Sequence, residues 1–397
     1  MDVAKFQKSP SGHLVPITGT SQGLTWQHHA FVPRPLGQAS PVLDGRSYRA
    51  VADARAAIAA LDATAARLPN PRLFRLPALR LEAQSTAALE GTYEPVERVL
   101  TAGDDDRADP SMREVLNYVL VAEQAFALDV DGHRLTVSSL EDLQGQLMSG
   151  TRLEGPASGR LRDLQVVIGR RPDAPPEVPA IKAAQFVPPP PGPDLRARLD
   201  DLLSWMQAQH DGIDPVVAAA MGHYCFEALH PFHDGNGRLG RLLVVLSLTW
   251  SGVLTEPSIS VSPWFEARRE RYYDCLLGIS MTGDWSSWVT FFAQGLQSAA
   301  DQAQRQMLQL VAVRDDLRER IRQSPIRSAR AFDLVDHALA SLTFTVAEAA
   351  EAVGLQKTGA SKLIDSLVEH RILEQVGHRS YNRRFAAPDA LAVLRGV

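Results

Sequence analysis

The twelve residues from His230 to Arg241, HPFHDGNGRLGR, bring two histidines, an aspartate, a glycine-rich turn and two arginines into one short stretch. Asp214 and Pro215 open a helical pattern that runs to about Leu229, and Pro231 halts it. His230 is therefore expected at a helix end, with Phe232 turned inward and the stretch itself forming a loop. The segment RLGRLLVVLSLTW that follows is apolar nearly all round after its first turn, the pattern of a buried helix starting near Gly237. Gly235, Asn236 and Gly237 then make a tight turn at the positive end of that helix, where outward N–H groups attract phosphate. Arg238 and Arg241 stand three apart on one helix face, and their guanidinium forks suit phosphate oxygens. Asp234, a single carboxylate beside a phosphate site, is suited to Mg²⁺, which takes one or two carboxylates plus substrate phosphates and water. His230 is the candidate base for an incoming hydroxyl. Together these parts describe phosphoryl or nucleotidyl transfer. His233 is read as solvent-facing.

The elements that must hold this loop are mostly helical. The chain has 397 residues, 45% apolar, enough for two or three globular units. A net charge of −5 points to neither a nucleic-acid coat nor a membrane-surface protein. Cys225 and Cys275 are too few for a disulfide framework and fit a reducing compartment. No apolar run is long enough to span a membrane, and a cytoplasmic protein without a membrane partner is expected. Residues 1–30 read as a loose arm. Helices are expected over Ser47–Leu68, closed by Asn70 and Pro71, then Pro77–Leu89, Ser111–Ala127, Ser139–Met148 and Leu195–Gln209. Two short β-type runs interrupt them, LQVVIG from Leu164 and AAQFVP to Pro188, and suggest a hairpin with a proline-rich tip.

The loop resembles the Fic signature, His-Pro-Phe-x-Asp/Glu-Gly-Asn-Gly-Arg-x-x-Arg, at every specified position. The resemblance implies a mainly α fold, a Fic-type helical bundle with a small β-hairpin flap, and transfer of AMP from ATP to a Ser, Thr or Tyr hydroxyl of a target protein or of the chain itself. It implies a nucleotidyltransferase that requires Mg²⁺, with His230 as base, Asp234 on the metal, and the nucleotide held across Gly235, Asn236, Gly237, Arg238, Leu239, Gly240 and Arg241. The segment FVPRPLG at Phe31–Gly37 resembles the start of the family's helical N-terminal part. The stretch TAALEG resembles its inhibitory-helix pattern, with Thr86, Glu90 and Gly91 at the specified positions; Glu90 would pair with Arg241 in place of the ATP γ-phosphate. The hairpin falls where the family has its flap, making Ile168 and Gly169 target-side contacts. Tyr272 and Tyr273 fall where related proteins place an aromatic near adenine, with core packing as the other reading. Trp285, Trp288 and Phe292 read as core. Relatives also transfer UMP, phosphate or phosphocholine, or remove AMP; the Gly237-Arg238 pair favours AMP.

The C-terminal part poses a separate question. Thr345 and Glu348 form a capping box, a short helix stops near Gly354, and a second begins around Thr358, which is helix-turn-helix spacing. EQVGHRSYNRRFA then reads as two strands and a turn, resembling a winged-helix domain. Lys357, Lys362, Arg379, Arg383 and Arg384 could touch DNA phosphates; the other reading is a protein-docking or homodimer-forming module. The expected divisions are 1–30 arm, 31–110 helical N-terminal segment, 111–300 catalytic core with flap at 164–188, 301–330 linking helix and 331–397 winged helix-turn-helix. Two other functions compete: a transcriptional regulator with a nucleotide-sensing domain, and a metal phosphohydrolase using His233 and Asp234 with His210 or His223.

Overall fold

The computed structural model describes residues 1–21, 24–67, 74–377 and 383–395, mainly helical, in two compact units. One unit comprises Met1–Ala56, Leu120–Leu254 and Trp264–Ser298. The other comprises Ala57–Val119, Thr255–Pro263 and Ala299–Val397. The division differs from the five segments expected, because the N-terminal helices and the C-terminal module share the second unit.

In the first unit the expected loose arm is instead an antiparallel hairpin of Gly12–Ser21 and Leu24–Pro33, with Gly12 opposite Pro33 and Leu14 opposite Phe31. Thr, Val, Ile, Trp and Phe supply strand-forming side chains, and in a two-stranded ribbon each strand is an edge, so Pro16 is tolerated. The Phe31 N–H donates to the Val187 carbonyl at 2.8 Å, and the Phe31 ring packs 5.6 Å from Phe6 and 5.7 Å from Phe186. The expected flap is present but shorter: Ile168–Arg170 pairs antiparallel with Ala184–Phe186. Prolines between them remove ladder donors and confine the pairing to its base.

The helix expected from Ser47 runs Gly45–Ala66, with Asp44 accepting from the Ser47 N–H at 2.8 Å; its expected close at Leu68, Asn70 and Pro71 lies outside the described residues. Further helices cover Val137–Met148, capped by Thr136, and Pro193–Met206. The leading helix of the motif, Pro215–Leu229, starts where expected, with the Asp214 carboxylate accepting from the Val216 N–H at 2.8 Å. The following helix, Asn236–Trp250, is buried along almost its whole length. Arg269–Thr282 and the opening turns of Trp285–Gln323 pack on the leading helix, through Tyr272 on His223 and Trp288 on Ala220. That last helix corrects the expected linker at 301–330: it begins at Trp285 and does not break at residue 300.

In the second unit Arg75–Leu89 packs with Val96–Thr101, and buried Arg80 donates to the Val99 and Ala102 carbonyls. The C-terminal elements run helix Arg330–Ser341, strand Phe344–Thr345, helices Val346–Ala352 and Lys357–Glu369, strands Glu374–Val376 and Arg384–Ala386, and helix Pro388–Arg395. Arg384–Ala386 is the central strand of three. The Thr345–Glu348 capping box and the left-handed Gly354 that ends the short helix are both present.

Candidate active site

The motif loop is built from its two ends. At the C-terminal end of the leading helix, His230 adopts a left-handed conformation, φ 47° and ψ 62°, and its N–H caps the Phe226 carbonyl at 3.0 Å. For a non-glycine residue this backbone costs about 1 to 2 kcal/mol, so the surrounding contacts must hold it. Pro231 follows, and Phe232 is fully buried, as expected of the plug. At the other end Gly235, at φ 80°, caps the following helix. A Cβ there would meet the Met148 methyl at 2.9 Å as well as adopt a strained backbone, so glycine is required.

Asn236 closes the loop on itself. Its Oδ1 accepts from the Phe232 N–H and its Nδ2 donates to the Phe232 carbonyl, both at 2.9 Å. The amide side chain therefore shapes the loop. Asp234 accepts from its own neighbour's N–H, that of Gly235, and from Arg238 Nη2 at 2.9 Å. Gln144 ties the loop to the helix below, donating to the Asp234 carbonyl at 3.1 Å while accepting from the Gly159 N–H. Arg238 and Arg241 are buried, as are Leu239 and Gly240, and Gly237 is half-buried. His233 is exposed, as expected, and sits 3.1 Å from Asp163, whose carboxyl it holds below the usual range.

His223, on the leading helix, is completely buried. Its Nδ1 lies 3.1 Å from the Gly240 carbonyl and its Nε2 2.7 Å from the Tyr272 hydroxyl. Tyr272 is itself 1% exposed and stacks on Phe265 at 4.8 Å. That places Tyr272 in the core and corrects its assignment beside adenine; Tyr273 keeps 38% exposure. His223 is equally spent on core partners, so it is not placed to join His233 and Asp234 in a metal phosphohydrolase centre. Burial first, then the Arg241 charge, pushes the His223 imidazole down to about 3 from 6.5. Between those values the unfolded chain binds the proton and the fold does not, so stability falls as pH drops from about 6.5 toward 3. His28, held down to about 4 chiefly by burial, adds the same sign. Thermal melts across this window should show Tm falling steadily, as unfolding free energy is lost at no more than ~1.4 kcal/mol per pH unit per histidine. His223→Gln should flatten the curve; an unchanged slope would contradict the assignment.

Ile168 and Gly169 lie on the flap's first strand, at a half-buried and an exposed position, with Gly169 at φ 61°. Thr86, Glu90 and Gly91 belong to the second unit. There Thr86 is buried, Glu90 is the exposed residue that ends Arg75–Leu89, and Gly91 takes φ 97°. Of the five expected DNA contacts, Lys357 and Lys362 are exposed on Lys357–Glu369. Arg383 lies 3.6 Å from Asp365 and over the Phe385 ring. Arg384 turns inward, donating to Thr343 Oγ1 and carbonyl and packing on Gly103, which corrects its assignment to phosphate. Arg379 lies outside the described residues. Cys225 and Cys275 are buried free thiols, Cys225 pushed up to about 12 by burial. Sequence reasoning missed Arg162 and Gln144, which lie outside any motif and act on backbone carbonyls that no sequence pattern marks.

Residues 134–248 match the Fic/DOC family and residues 48–127 its N-terminal segment. The chain carries a Fic/DOC family domain and its N-terminal segment. The Fic match contains the whole loop His230–Arg241, the flap and the leading helix. Among curated relatives, a protein adenylyltransferase Fic of Aedes aegypti is 35% identical over 114 residues, 28% of this chain and 21% of that protein. Protein adenylyltransferase fic-1 of Caenorhabditis elegans is 31% identical over 138 residues, 34% of this chain and 23% of that protein. The match thus spans about a fifth of those relatives' length. The crystal structure of a Fic family protein from Desulfovibrio desulfuricans G20 shares the fold, with a TM-score of 0.53 at 22% identity, covering 88% of this chain and 98% of that one.

Proposed function

We propose that this Fic protein is an adenylyltransferase that moves AMP from ATP onto a Ser, Thr or Tyr hydroxyl of a protein target or of itself. The observation that carries the reading is the pairing of a strained histidine at one helix end with a glycine-capped, positively polarised helix start six residues on, joined by Asp234. The printed names of the relatives, protein adenylyltransferases, support the transferred group.

In this reading His230 takes the hydroxyl proton as the oxygen attacks the α-phosphorus. The new O–P bond forms, the bond to the β-phosphate oxygen breaks, and pyrophosphate leaves. The first-turn N–H groups of Asn236–Trp250 and the Arg238 and Arg241 guanidiniums hold the phosphates. The Asp234 side chain is 42% exposed and offers hard oxygen donors beside that anion site, which fits Mg²⁺. Bound there, the ion would neutralise phosphate charge. The flap strand Ile168–Arg170 offers backbone pairing to an extended target segment.

Glu90 restrains the reaction in this reading, on the strength of the Thr86–Gly91 sequence pattern. Purified Glu90→Gly protein, given Mg²⁺ and α-labelled ATP in a cell lysate, should label a target or itself at least ~10-fold more than the parent, the effect of ~1.4 kcal/mol of relieved competition. Equal labelling would remove the restraint. The C-terminal element order supports a winged helix-turn-helix reading of residues 331–397, a reading that does not bear on the chemistry. Among the described residues no helix is long and apolar enough to cross a membrane.

A further inference from the structure

Arg162 is 2% exposed, and every hydrogen-bond partner of its guanidinium is a backbone carbonyl. Nε donates to the His230 carbonyl at 2.7 Å, Nη2 to Leu229 at 3.4 Å and also to Pro189, and Nη1 to Leu164 at 3.3 Å. Its own backbone N–H donates to the Pro231 carbonyl at 2.9 Å. Three of these five acceptors are successive residues at the left-handed end of the leading helix. The other two are the feet of the flap, Leu164 before its first strand and Pro189 after its second.

Burying a guanidinium is costly unless its donors are met, and here burial alone lowers its proton affinity, to a pKa of about 10. What the cost secures is geometry. Carbonyls at a helix C-terminus have no acceptor role within the helix, and a cation there is favoured. One planar fork binds both the His230 carbonyl and the flap feet, so neither can shift without the other.

We propose that Arg162 is a positioning residue that locks His230 in its left-handed conformation and sets it in fixed register with the target-holding flap. The inference rests on the transfer reading above for its kinetic consequence, but its structural content is independent of that reading. Lysine keeps the charge, yet its three donors radiate from one atom and cannot span helix end and flap feet together.

The test compares Arg162→Lys with the parent, both carrying Glu90→Gly. A shift of about 1 Å in the base costs on the order of 10²-fold, so kcat for AMP transfer should fall about that much while ATP affinity stays unchanged. Hydrogen exchange should rise in the segments 162–168 and 226–232 together. A folded Arg162→Lys protein with the parent rate would overturn the proposal. So would a loss of ATP affinity in step with rate, which marks general damage to the phosphate loop. Arg162→Met, which keeps volume without donors, is run beside it and should show the same kcat loss; the parent rate in that folded variant overturns the proposal equally. Should neither variant fold, exchange in the unsubstituted protein decides: the two segments must open in concert, and a flap foot that opens independently of the helix end contradicts the lock. If the parent labels nothing with any nucleotide, the transfer reading fails, while the exchange measurements still decide the role of Arg162.

Discussion

His230→Ala is expected to lower AMP transfer by ~10²- to 10⁴-fold, the range a positioned general base supplies, without changing ATP affinity. Neither neighbouring histidine is placed to replace it. His233, three residues on, is exposed and turned to Asp163, and His223 is buried on Gly240 and Tyr272 with its imidazole held neutral. The substitution also touches stability, because alanine in the left-handed region at φ 47° is strained. Asparagine tolerates that region better, so His230→Asn separates the two effects. Both variants should be inactive, and His230→Asn should melt at the higher temperature. Activity retained in a folded His230→Asn protein would mean that the imidazole is not the base.

Trp288→Ala should remove about 3 to 5 kcal/mol of stability, the usual cost of truncating a large buried aromatic. Trp288 is fully buried, donates from Nε1 to the Ala220 carbonyl at 2.9 Å, and stands 5.3 Å from Phe292 and 5.9 Å from His223, ring to ring. It thereby braces the leading helix whose last residue hands the chain to His230. Deleting it leaves a cavity beside Ala220 and takes away a donor from that carbonyl. Trp288→Phe keeps most of the volume and should cost less. Denaturant midpoints for the two variants check this; a loss below about 1 kcal/mol for Trp288→Ala would show that the cluster collapses to fill the space.

Much of the site was legible because its residues are constrained by local backbone rules. Pro231 after an apolar helical run fixes a helix end at His230, and Gly-Asn-Gly before a run that is apolar nearly all round after its first turn fixes a helix start. Both hold in the fold, as do the Asp214 cap and the Thr345–Glu348 box. Where reading failed, the deciding contacts are distant in sequence. The N-terminal hairpin owes its order to Val187 and Phe186, far along the chain, and Gly19, Pro16 and scattered hydroxyls hid its strand pattern. Arg384 looked like one of a basic run, and only the Thr343 carbonyl and Gly103 show it to be half-buried and tied to its own unit. Tyr272 differs from Tyr273 by one position on a helix, and the period alone does not say which faces the core. Arg162 carries no motif at all; its partners are carbonyls, to which sequence is blind.

In the proposed function the loop His230–Arg241 delivers an adenylyl group. Parallel incubations of the Glu90→Gly protein with α-labelled and with γ-labelled ATP in Mg²⁺ test it most directly, with His230→Asn in the same background as the control. Covalent label is expected from the α-position alone, with a mass gain of one AMP on a hydroxyl side chain and no label in the control. Label from the γ-position, or α-label that survives without the His230 imidazole, would contradict it.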